Sequence, residues 1–344
     1  PDDDGDRIPD EMEGPSGLVD SDNNGIRNQL DHDDDGDGYS DDDEWDAGSD
    51  PTDWLSVPGG DYVAFIDDNG DRRALYFASV GDVADGNRGD SVSLGEIAPV
   101  WPRISDSYLL VGDAAADPAF ALVLRETREI HRLQTEGIHI ADVDLDDPRG
   151  GIVYVREGEN DGGPYTRIDF VTYDALIGGV PLPTTLYETG GEIAGLSAAA
   201  QGPATLVFGS GARDCPICLD LNLASGTLNL ATRRLGGADL GNRERYPRLS
   251  PDASSVVFIA GPDGNRSAYT YDLVGRDGLR NVTGPGWHVQ SAVFAPVTRR
   301  VLASARPADE PNAPYQLVLF DTYQDRYETI TQGPSSKIEV DFGP

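Results

Sequence analysis

The stretch LDHDDDGDGYSDDDEW, residues 30–45, places eight aspartates and one glutamate in sixteen positions. Carboxylates at this density repel one another unless a cation sits among them. Their spacing is that of a twelve-residue calcium loop. Such a loop takes side-chain oxygens from positions 1, 3, 5 and 9, a backbone carbonyl from position 7 and an acid from position 12, with glycine at position 6 for the sharp turn. Counted from Asp33, the candidate ligands are Asp33, Asp35, Asp37, the Tyr39 carbonyl, Asp41 and Glu44, with Gly38 at the turn. The frame fits twice more. One copy is Asp20, Asp22, Asn24, the Ile26 carbonyl, Asn28 and Asp31, with Gly25 at the turn. The other is Asp2, Asp4, Asp6, the Ile8 carbonyl, Asp10 and Glu13, with Arg7 where glycine belongs. Calcium is a hard ion that takes about 6–8 oxygens, and short Asp and Asn side chains let a tight loop wrap it. The expectation is three Ca2+ ions or more.

An acidic run can also be a solvated, unfolded tail, but three copies in register argue against that. No amphipathic helix is expected to enter or leave a loop, so these are not EF-hands, and only His32 separates the second copy from the third. This close tandem packing, ending in AGSDPTD (47–53), resembles thrombospondin type 3 repeats as they occur in secreted bacterial proteins. The resemblance covers residues 1–53 and departs from the pattern at Arg7. It implies a segment with little secondary structure, in which ions and short turns replace a hydrophobic core.

Other reactive groups are sparse. Cys215-Pro-Ile-Cys218 admits a redox pair, half a zinc site or a local disulfide. A redox site needs a strand-to-helix setting and zinc needs further ligands, and neither is in view. A Cys215–Cys218 disulfide stapling a turn is therefore expected, in an oxidising compartment. The histidines at 32, 131, 139 and 288 do not cluster in sequence, and no nucleophile elbow, phosphate loop or zinc-protease helix motif occurs. Carboxylates are too numerous to nominate a catalytic pair.

Past Trp54 the texture becomes short β-branched and aromatic runs punctuated by Gly, Pro, Asn and Asp, which reads as all-β. Asn69-Gly70 and Asp263-Gly264 read as two-residue hairpin turns of the primed type. The unit YPRLSPDASSVVFIAGPDGNRSAYTYDLVGRDGLRNVT (246–283) reads as four strands, and weaker copies give starts near residues 96, 138, 190, 240 and 288. A sixth unit is split between KIEVDFGP at the C-terminal end and the strands from Tyr62 onward. Joined, they close a ring with no open inner edge. The fold class is therefore a six-bladed β-propeller over 54–344 with a mostly irregular calcium-binding arm over 1–53, two packed sheets being the alternative. The LSPDASSVVFIA stretch resembles the TolB-type propeller repeat, with Ala253 where that family usually has glycine.

The chain has a formal net charge of −35, of which residues 1–53 carry −19 and residues 54–344 carry −16. Such a balance excludes a nucleic-acid partner, which needs a basic face, and no apolar run is long enough for a membrane helix. Pro1 opens inside an acidic repeat, which reads as a processed end. The combination points to a secreted structural or interaction protein that meets a protein partner, or other copies of itself in a filament, through the acidic arm. A periplasmic TolB-like scaffold and an extracellular hydrolase or lyase are the alternatives.

Overall fold

The computed structural model describes residues 4, 8–9, 19–22, 24–36, 39–47, 49–52, 62–70, 72–80, 83, 90–91, 99–105, 107–113, 119–127, 129–134, 139–160, 163–179, 181–212, 219–227, 230–235, 244–262, 264–275, 278–295, 300–323 and 325–343. Twenty-four described strands form six four-stranded antiparallel sheets. The sheets that run outward from β4 (Pro99–Ile104), β8 (His139–Asp146), β12 (Glu192–Ala198), β16 (Arg245–Leu249) and β20 (Trp287–Phe294) are each built from four consecutive strands. Those five first strands begin within about five residues of the starts read from the repeats. Each packs against the first strand of the next sheet, and β24 (Ser336–Gly343) packs against both β20 and β4, so the six first strands close a ring. This is a six-bladed propeller.

The sixth sheet has the order β24-β1-β2-β3, with β1 at Tyr62–Asp68, β2 at Arg73–Ser79 and β3 at Asp90–Ser91. The C-terminal strand thus supplies the innermost strand of the first blade, pairing Ile338 with Ile66 and Phe342 with Val63. Lys337, the chain's only lysine, fastens this seam from a fully buried position. Its Nζ donates to Ser335 Oγ at 2.8 Å and to Asp67 Oδ1 on β1 at 3.3 Å.

A propeller blade is covered on both faces by its neighbours, so strands such as Gly151–Asn160 (β9) begin with an unbroken buried run instead of alternating. The buried apolar side chains fall into six clusters, one in each gap between adjacent blades. Val153, Ile168, Leu196 and Phe208 fill the gap between the β8 and β12 sheets, for example.

Both hairpins expected at the two Gly-containing turns form, but neither has a two-residue turn. Asp68 pairs with Arg73 across a four-residue loop, because Asp68 accepts from Gly70 N–H at 2.8 Å and Asn69 from Arg72 N–H at 2.8 Å. Ala260 pairs with Ser267 across a six-residue loop that includes Asp263-Gly264. Gly70 and Gly264 still supply the positive φ such loops need, at 88° and 89°.

The arm contains a 3-10 turn at Asn28–Leu30 and a helix, α1, at Asp41–Ala47. Helix α1 starts at position 9 of the third copy, but its seven residues, DDDEWDA, are almost wholly acidic and make no amphipathic helix of the EF-hand kind. Four acids fill the first turn of α1, where the helix dipole favours negative charge. No described helix is long and apolar enough to cross a membrane.

Candidate functional site

The second and third acidic loops are superposable in their hydrogen bonding. In each, loop position 9 opens a helical turn: Asn28 begins the 3-10 turn and Asp41 begins α1. The position-9 side chain then reaches back to position 2. Asn28 Oδ1 accepts from Ser21 N at 3.0 Å, and Asp41 Oδ1 accepts from Asp34 N at 2.9 Å. The position-9 amide bonds the residue just before the loop, Asn28 N to Val19 O at 2.9 Å and Asp41 N to His32 O at 3.0 Å. Two independent bonds thus recur in the twelve-residue register read from the sequence.

Inside the second loop, Asp20 accepts from the amides of Asn24 and Gly25, both at 3.1 Å. Asp22 accepts from Asn24 N at 2.9 Å, and Asn24 Nδ2 donates to Asp31 Oδ2 at 2.7 Å. Gly25, at the turn position, has φ 92°. These contacts draw four of the expected ligand residues, Asp20, Asp22, Asn24 and Asp31, around one loop, with Ile26 exposed beside them. In the third loop Asp35, Asp41 and Glu44 are buried to 1%, 0% and 0% exposure, while Asp33 is half-buried. Burying carboxylates this fully is costly in an apolar-poor segment unless positive charge offsets it. Tyr39 is described and half-buried. Of the first copy only Asp4 and the buried Ile8 are described; Asp2, Asp6, Asp10 and Glu13 lie outside the described residues, as do Asp37, Cys215 and Cys218. Among the described residues no three His, Cys, Asp or Glu side chains already converge as a metal-ligand group.

A second charged site was not read from the sequence. It lines the central channel. The innermost strand of every blade carries a β-bulge. At three of them a bulky residue adopts positive φ, namely Trp101 at 50°, Tyr246 at 52° and Glu339 at 51°. A bulge bends the strand and re-aims its side chains. Here it turns them onto the unpaired amides of the next blade's inner strand. Glu339 accepts from Trp101 N and Asp341 from Ile104 N, both at 2.8 Å. Asp142 accepts from Leu196 N and Asp144 from Ala198 N, both at 2.9 Å. Ser197 and Ser291 do the same for Leu249 N at 3.1 Å and Val340 N at 3.3 Å.

Arg103 sits in the middle of these acids with its side chain 3% exposed. It donates to Asp142 at 3.0 Å and to the Pro102 carbonyl at 2.7 Å, and its Nε is ion-paired with Asp144 at 3.4 Å. Burial works against its charge, but Asp142, Asp144 and Asp341 outweigh it and hold the guanidinium protonated. Burial pushes the acids up in turn: Asp144 to about 8 and Asp341 to about 6, with Asp142 and Glu339 also raised. Arg103 opposes all four shifts. At the channel mouth a cavity of about 70 Å³ is lined by Ser105, Asp144, Ser197, Arg248 and Asp341. The acids were legible, if at all, only as alternation within apolar strands, as in ADVDLDD (141–147) and IEVDF (338–342). Of the histidines, His131 lies 3.4 Å from Glu129, and His288 accepts from Arg266 N at 3.0 Å. They stand on different blades.

No known family profile matches the sequence, and no curated protein sequence matches it. Solved structures do. TolB from Acinetobacter baumannii is similar at TM-score 0.65 and 15% identity, over 84% of this chain and 68% of that one. A chain of a nidogen/laminin complex matches at TM-score 0.58 and 11% identity, over 82% of this chain and 98% of that one. An oligogalacturonate lyase in complex with manganese matches at TM-score 0.53 and 12% identity, over 78% and 74%. The chain has the TolB-like six-bladed propeller fold. At these identities the likeness is one of fold, shared by proteins of different activity.

Proposed function

We propose that this chain is a calcium-binding interaction protein that works outside the cytoplasm, where a propeller presents a calcium-braced acidic arm to a protein partner or to a second copy of itself. The observation that supports it best is the matched geometry of the two described loops, in which position 9 bonds position 2 and the residue before the loop. The ligands would be Asp20, Asp22, Asn24, the Ile26 carbonyl, Asn28 and Asp31 in one loop. In the next they would be Asp33, Asp35, Asp37, the Tyr39 carbonyl, Asp41 and Glu44. A non-catalytic role is favoured because the channel acids are committed to the amides of neighbouring blades and to Arg103.

The channel-mouth cavity supports a second reading, a scaffold that grips a partner's polar group between Arg248 and Asp341. Limited proteolysis distinguishes the arm from the scaffold. With a chelator, uncompensated repulsion among the 21 acids of residues 1–53 should open the arm, so that cuts fall only before Trp54 while the propeller stays intact. Equal resistance with and without calcium would remove the calcium reading. Light scattering of the calcium-loaded chain reads self-association, and a strict monomer at high concentration would restrict the partner to another protein.

A further inference from the structure

The arm meets its own propeller at one described hydrogen bond: Arg326 Nη1 donates to the Asp35 carbonyl at 3.4 Å. Arg326 stands on the turn between β22 (Gln316–Asp321) and β23 (Tyr327–Thr329), the two outer strands of the blade that begins with β20. That turn is pinned: its carbonyl accepts from Asp321 N at 3.1 Å, and Asp321 Oδ1 accepts from Tyr323 N at 2.6 Å. The next residue, Tyr327, is held by edge contact with Trp287, ring centroids 5.2 Å apart. Asp35 is the third position of its loop, and Asp34, Asp35 and Gly36 are all buried although the arm has almost no apolar side chains of its own.

We propose that Arg326 is a positioning residue for the third loop: it holds the loop backbone at the Asp35 carbonyl, so that calcium binding and docking of the arm on the β20–β23 blade are thermodynamically linked. This rests on the calcium reading above. Linkage is reciprocal, so whatever docking contributes to calcium affinity, calcium returns to docking. The sign of the effect separates this from simple electrostatics. Taking a positive charge away from an acidic loop should strengthen calcium binding if charge alone acts. Losing the docking contact should weaken it instead.

The experiment is calorimetric titration of the full chain with calcium, for wild type, Arg326→Gln and Arg234→Gln. Arg234 is half-exposed on β15 (Ala231–Arg234), a different blade, and bonds Asp220. For Arg326→Gln the expected result is a three- to tenfold weaker Kd for one ion, with the other ions unchanged and Arg234→Gln like wild type. The calcium-loaded Arg326→Gln protein should also lose arm residues to protease faster than wild type. Unchanged or tighter binding in Arg326→Gln would overturn the linkage while leaving the calcium loops standing. Absence of binding to the wild type would instead remove the calcium reading itself.

Discussion

Deleting residues 336–344 is expected to make the propeller aggregate. The deletion removes Ile338, Val340 and Phe342, which are 6%, 2% and 9% exposed. Burying such side chains contributes about 1.5–3 kcal/mol each, so roughly 5–9 kcal/mol of apolar burial is lost. That rivals the ~5–15 kcal/mol by which whole domains are stable. The deletion also strips the partner from Tyr62–Asp68, leaving that strand as an open edge inside the ring, and it takes Lys337 from Asp67. Size-exclusion chromatography and thermal unfolding read the result. The expected outcome is aggregates, with any residual monomer melting on the order of 20 °C lower. A truncated chain that stays monomeric with an unchanged Tm would show that the ring does not depend on β24.

Arg103→Met is expected to be the most damaging single substitution in the channel, and its cost should grow with pH. Removing one partner from a buried ion pair costs about 3–5 kcal/mol, because the remaining charge has no offset. Here two carboxylates within 3.4 Å, and a third acting through space, lose their cation together. The pH dependence follows from the direction of the shifts. Asp144 and Asp341 titrate in the folded protein at about 8 and about 6, above the ~3.8–3.9 of an unfolded aspartate. The folded state therefore holds more protons between about pH 4 and 8, and by linkage these groups make stability fall as pH rises through that window. Arg103 limits the fall, since its charge favours the ionised acids. Without it the acids should stay protonated to higher pH, so the variant should be closest to wild type near pH 5 and furthest from it near pH 8. Denaturant unfolding of both proteins at the two pH values checks this, the arm's own pH response cancelling in the difference. A loss of equal size at both pH values would contradict the proposed charge balance.

Sequence reading carried furthest where a local pattern had one physical meaning. KIEVDF reads as the first strand of a blade, and its pairing with Tyr62–Asp68 closes the ring as expected. SSVVFIAGPDGNRSAYTYDL contains two β-branched or aromatic runs around turn residues, and both strands, Ser255–Ala260 and Ser267–Asp272, formed. Hairpin loop length was not legible, because it depends on which side chain captures which amide, as Asp68 does with Gly70. Helix α1 is seven residues long, too short for a hydrophobic period to register. The channel was the largest omission. An acid at every second position of a strand reads as the wet side of a half-buried sheet, and only ring closure turns that side inward. Besides the amide of Val143, the partners of Asp142 include Arg103 and Leu196, which stand 39 and 54 residues away, beyond any local pattern. The twelve-residue spacing of the acidic loops was readable from residue types alone, and the bonds from position 9 to position 2 recur in that register.

Native mass spectrometry of the full chain, exchanged from millimolar calcium into volatile buffer, tests most directly whether the acidic arm binds calcium. At least two retained calcium ions are expected, one for Asp20–Asp31 and one for Asp33–Glu44, both lost when Asp20 and Asp33 are changed together to Ala. A spectrum showing only the metal-free mass, from protein that is folded and was loaded with calcium, would contradict the calcium reading.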